Sequence, residues 1–174
     1  VALLVPTLLA VMIGGVLAVF AVARKVVTPA RRAMDTKIVA VDTGAQTIEL
    51  TRTPDTALPG RYGLFATGTH DYVKLGAVLS EDTKTVRRKL LTQIESGARI
   101  DRDAAFSGWY YTSPTELHLR WESVLIESPA GPCPAWYFPA ESDTWVIQVH
   151  GRGTTRAECL RAVPVFHALG MPTL

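Results

Sequence analysis

The chain has 174 residues, 48% of them hydrophobic and 20% charged, which is room for one domain with an appendage and too apolar for a disordered polymer. Its net charge of +2 is unevenly spread: residues 1–37 hold Arg24, Lys25, Arg31, Arg32 and Lys37 against Asp35 alone, and the remainder is net acidic. The pI of 8.7 therefore comes from one short stretch, which argues against a nucleic-acid-binding surface on the folded part.

Val1–Ala23 carries no charged residue. At about 1.5 Å per residue it is long enough to cross a hydrocarbon core of roughly 30 Å. Its Leu, Val and Ala content, with Gly14-Gly15, suits a membrane helix, and Pro6 is tolerable in the first turns. Two other readings stay open. One is a buried core helix, and the other is a secretory signal peptide, for which Ala21-Val22-Ala23 has the small-x-small cleavage form. The length of the run and the lack of a basic leading region favour an anchor. Arg24–Lys37 then reads as a basic juxtamembrane linker, whose bases either attract anionic lipid or form a solvated stop-transfer flank. By the positive-inside rule it sets the globular part of a single-pass protein on the cytoplasmic side of the cell membrane.

Ile38–Glu116 reads as a β-rich segment. Ile38 to Val41 and the alternating Thr47-Ile48-Glu49-Leu50-Thr51 are strands joined by a turn at Asp42-Thr43-Gly44. Arg61 to Ala66 and Tyr72 to Leu79 are further strands. Val86 to Ile94 fits a helix face or a strand equally well. Trp109-Tyr110-Tyr111 reads as an aromatic run that packs over a neighbouring sheet, with the lining of a binding surface as the less favoured alternative. His70 and His118 lack companion ligands, Asp101 and Asp103 read as solvated loop acids, and Cys133 with Cys159 makes neither a disulfide framework nor a metal set. No cofactor is expected.

Leu117–Leu174 carries a different rhythm. Leu119 to Ile126 and Ala135 to Phe138 read as strands around the turn Ser128-Pro129-Ala130-Gly131-Pro132. Trp145-Val146-Ile147-Gln148-Val149 reads as a strand covered on both faces. It runs into His150-Gly151-Arg152-Gly153-Thr154-Thr155. Thr155-Arg156-Ala157-Glu158 matches a capping box that opens a helix to Leu169, which Pro164 should kink or shorten and Gly170 should stop. A new strand is expected from Met171, completing the start of a βαβ unit and hence an α/β sheet. The turn is neither a phosphate loop nor a dinucleotide fingerprint, since the required Lys and third glycine are missing. The same strand, glycine turn and helix fit a backbone oxyanion site, or a plain tight turn.

Together, Trp121 to Leu174, and above all Trp145 to Glu158, resemble the opening of membrane-anchored α/β-hydrolases of actinobacterial type. The resemblance implies that His150, Gly151, Arg152 and Gly153 form the oxyanion loop, with the amide of Arg152 or Gly153 facing the substrate. It implies a small acyl-ester or thioester substrate and the bilayer as partner. The seven serines (80, 96, 107, 113, 123, 128, 142) all lack the G-x-S-x-G setting of a nucleophile elbow. The chain is thus expected to be the N-terminal portion of such an enzyme, with the nucleophile beyond Leu174. The alternative is a non-catalytic, membrane-anchored β-rich binding module.

Overall fold

A computed structural model describes residues 4–28 and 32–174. Val1 to Leu3 of the apolar run and Pro29 to Arg31 of the linker lie outside the described residues. Two compact units divide at Arg31/Arg32.

The first unit holds helix α1, Leu4–Val27. Its backbone runs past the uncharged stretch, so Arg24 and Lys25 occupy its last turn, where cations face the carbonyl end of the helix. The 19 residues Leu9–Val27 have a mean hydropathy of 2.0, and none of that span is buried. Among the described residues this is the one helix long and apolar enough to cross a membrane, a test a signal sequence also passes.

The second unit starts with a barrel. Strands β1 (Thr36–Asp42), β2 (Thr47–Thr51), β3 (Tyr62–Phe65), β4 (Tyr72–Glu81), β5 (Thr85–Leu90) and β6 (Asp103–Ser107) close in the order β1-β2-β5-β4-β3-β6, every pair antiparallel. Closure leaves no free sheet edge here. The period-2 pattern explains the inside: Ile48 and Leu50 on β2, Leu64 on β3, Val73 and Leu75 on β4, and Val86 and Leu90 on β5 are all buried. Facing register pairs Leu50 with Val86, Leu64 with Val73 and Leu75 with Leu90. The ambiguous stretch 86–94 is thus mostly strand, with Ile94 buried just beyond it.

One charged residue breaks the apolar rule inside the barrel. Arg88, on the inward face of β5, is fully buried. Its Nε and Nη2 donate to Gly76 O at 3.1 and 2.9 Å, its Nη1 to Thr56 O and Leu58 O at 2.8 Å each, and its Nη2 to Gly60 O at 2.7 Å. The guanidinium is satisfied by carbonyls alone and pins the 56–60 loop to the barrel. Desolvation lowers its pKa, yet a guanidinium stays charged at any working pH.

Asp103, expected in a solvated loop, opens β6 and pairs with Lys37 on β1. Asp101 does lie outside the strands, accepting from Thr67 Oγ1 at 2.8 Å and Arg99 Nε at 2.9 Å. Arg32, counted above among the flank bases, lies with its guanidinium 3.5 Å from the Phe65 ring centroid. The aromatic run packs as expected: Trp109 stands 5.6 Å from Phe65, and Tyr110 is buried. It lies so close to β3 that a Cβ at Gly63 would sit 2.2 Å from Trp109 O, so only glycine fits.

Beyond the barrel come a 3₁₀ turn at Pro114–Leu117 and a two-stranded hairpin, β7 (Glu122–Ile126) with β8 (Cys133–Tyr137). A 3₁₀ helix, Arg156–Arg161, and the short helix α2, Val163–Ala168, follow. A second small core, Phe138, Ala157, Leu160 and Val163, packs under Trp109, Trp121 and Trp136.

The α/β sheet expected from the sequence is not what this chain forms. The main sheet is a closed antiparallel barrel, and the helices of its unit are short. The expected βαβ start is reduced to isolated bridges, Phe138 to Thr173 antiparallel and Val146 to Thr173 parallel. Two local reasons are visible. Trp145, Ile147 and Val149 are 52, 70 and 85% exposed, so the 145–149 segment is covered on one face only. Thr155 makes no side-chain cap and Pro164 falls in the first turn of α2, so one continuous helix gives way to two short ones.

Candidate functional site: an apolar groove beside the glycine turn

Segment 145–149 is held by its backbone. Val146 N donates to Pro172 O at 2.8 Å, Leu174 N to Val146 O at 2.8 Å, and Gln148 N to Leu174 O at 2.7 Å. This lays the segment beside the chain end and, with β8 and the 156–163 helical stretch, walls a groove of about 360 Å³. The volume lies within the range of small-ligand pockets, roughly 300–1,000 Å³. Trp136, Phe138, Ile147, Val149, Leu160 and Val163 supply its apolar walls, and His150 stands at the start of the glycine turn.

Gln148, Arg156 and Thr173 line the same groove with His150. Among the described residues, the buried side-chain nitrogens without a hydrogen-bond partner are Gln148 Nε2 and Arg156 Nη1. An unpaired buried donor costs about 1–3 kcal/mol, and more if it is charged. The Arg156 guanidinium carbon also lies over the Trp136 ring, 4.1 Å from its centroid, a cation–π contact that holds it against the wall. Both cysteines line the groove as free thiols. Burial, with Glu158 adding to it, raises the Cys159 pKa, which keeps that sulfur a thiol and a poor nucleophile.

The turn after the groove has its own hydrogen bonds. His150 Nδ1 lies 3.0 Å from Gly151 O, and Thr154 Oγ1, which has one hydrogen to share between Gly151 O and Glu158, lies 2.8 Å from Gly151 O. Glu158, expected to return to the Thr155 amide, instead accepts from Thr154 Oγ1 at 2.7 Å and from Gly151 N at 3.3 Å. The Gly151 amide is therefore engaged. Gly153 adopts φ +84°, the left-handed region where glycine is at ease. Of the four residues singled out in the turn, His150 lines the groove, while Gly151, Arg152 and Gly153 stand outside its lining.

The capping-box chemistry occurs elsewhere, at Ser113 and Glu116. Glu116 accepts from Thr112 N at 3.0 Å and Thr112 Oγ1 at 2.8 Å, and it pairs with Lys74 on β4. Burial alone would raise its pKa, but the Lys74 ammonium and the Thr112 donors hold it down at about 2. Next to it, Tyr72 Oη shares its one hydrogen between Trp109 O at 2.8 Å and Tyr110 O at 2.9 Å, and burial, then Glu116, raises the phenol pKa. His118 caps this 3₁₀ turn at φ 54° and borders a shallower hollow with Arg61, Tyr111 and Pro164. His70 lies apart from it. Among the described residues, no group of three or more His, Cys, Asp or Glu could hold a metal ion.

The sequence pointed to the turn and missed the groove. A signal was present in Gln148, a polar residue inside the apolar run, and in Arg156, which follows the turn immediately. Residues 37–107, which run from β1 to the end of β6, match a family model described as a domain of unknown function (DUF8805). No curated protein and no solved structure matches the chain. The family match covers the barrel and leaves the groove outside it.

Proposed function

We propose that this chain is a membrane-tethered module that receives an apolar acyl group in the groove ending at His150, as the front portion of an acyl hydrolase of the esterase, lipase or thioesterase kind. The observation that carries this reading is the groove itself, apolar walled and opening beside the glycine turn. On this reading α1 is a single-pass anchor and its basic end keeps the folded unit on the cytoplasmic face of the cell membrane. The groove holds the acyl chain, and backbone N–H groups at Arg152 or Gly153 polarise the acyl carbonyl. None of the chain's seven serines has the G-x-S-x-G setting, so on this reading residues 1–174 contribute the groove rather than the nucleophile.

A second reading, a non-catalytic membrane-anchored binding module, is favoured by the engaged Gly151 amide and by the position of residues 151–153 outside the groove lining. One experiment separates the two. The native protein in its own membrane is treated with a fluorophosphonate probe, which labels activated serines. Labelling that a short-chain ester competes away supports the hydrolase reading. A polypeptide that binds an acyl chain yet takes no label supports the binding module.

A further inference from the structure

We infer that the groove takes a fatty carboxylate, with its head group held by Gln148 and Arg156 and its chain along Trp136, Ile147 and Val149. The inference rests on the acyl-binding reading in one respect only, that the groove admits an alkyl chain. Its own support is separate. The buried side-chain nitrogens left without a partner among the described residues are Gln148 Nε2 and Arg156 Nη1, and the two residues that carry them both line this groove. Arg156 forms none of the chain's described ion pairs. Glu158, the acid nearest to it in sequence, is turned to Gly151 N and Thr154 Oγ1 and stands outside the groove lining.

These features select a ligand chemistry. A guanidinium and a primary amide both donate, so the complementary group is a pure acceptor with two oxygens, and a carboxylate fits both. The walls around them are apolar, so the remainder of the ligand is a hydrocarbon rather than a sugar or a nucleotide. The cation–π contact with Trp136 holds the Arg156 guanidinium against the wall before the ligand arrives, which lowers the ordering cost of binding. An acyl hydrolase would release a product of this kind, and a binding module would carry it.

The test uses the full chain in phospholipid nanodiscs, with equilibrium dialysis against octanoate and octan-1-ol and with empty nanodiscs as baseline. Octanoate should bind saturably and about tenfold more tightly than octan-1-ol, the size of one charged hydrogen bond. Arg156→Met, which keeps bulk over Trp136, and Gln148→Leu should each reduce that preference and leave octan-1-ol binding unchanged. Thermal midpoints are recorded for both variants. If Arg156→Met fails to fold, Gln148→Leu carries the comparison alone. Equal binding of acid and alcohol by the unaltered chain overturns the carboxylate assignment while leaving the acyl groove standing. Binding of neither above baseline removes the groove reading as well.

Discussion

Arg88 shows how a charge can serve as core. Five N–H donors meet four carbonyls, so replacing the side chain strands Thr56 O, Leu58 O, Gly60 O and Gly76 O together. Arg88→Met should destabilise the unit by about 2–4 kcal/mol in denaturant unfolding. Arg88→Lys should restore little, because an ammonium has three donors and no planar fork. The sequence concealed this residue: Val86 and Leu90 show the inward parity of β5, but a charge between them reads as solvated. Glu116 makes a second test. Its folded pKa of about 2 lies below its ordinary 4.5, so it contributes stability that is complete above about pH 4.5 and lost as the pH falls towards 2. Acid unfolding profiles should therefore show a fall on the order of 1–2 kcal/mol over that window, partly screened because the two side chains keep 23% and 26% of their surface exposed. Glu116→Gln should flatten that fall. The same profile in the Gln variant as in the unaltered chain would dismiss the ion pair as a contributor.

The strands of the barrel were legible where β-branched residues alternate with polar ones, as in Thr47 to Thr51. β6 was not, since Asp103-Ala104-Ala105-Phe106-Ser107 has no β-branched residue and is a strand only because β1 and β3 flank it. The C-terminal helix failed in the opposite way. Its capping letters were present, yet Glu158 found Gly151 and Thr154 instead of Thr155, and local pattern could not foresee that competition. For α1 the sequence and the backbone agree on one long apolar helix. Deleting residues 1–27 should move the protein from the membrane pellet to the soluble fraction. Persistence in the pellet after a high-salt wash would show that another surface holds it there. A mature protein beginning near Arg24 would identify the run as a cleaved signal.

Ring closure was the part of the fold least open to sequence reading. Alternation assigns a face to each residue but names no neighbour, and the pairing of β2 with β5 and of β3 with β6 depends on contacts distant in the chain. The α/β expectation arose from the last third of the chain, where a strand-turn-helix rhythm is present but pairs only through isolated bridges. The candidate site was half legible for the same reason: the turn is a local pattern, whereas the groove needs β8, segment 145–149 and the helical stretch brought together. On the proposed reading, an acyl chain finds its apolar cover in this groove. A photoreactive acyl diazirine, added to the full-length protein in native membranes and mapped by mass spectrometry, tests that directly. The expected result is labelling of peptides within residues 133–163 that excess octanoate competes away. Labelling confined to α1, unchanged by octanoate, would contradict it.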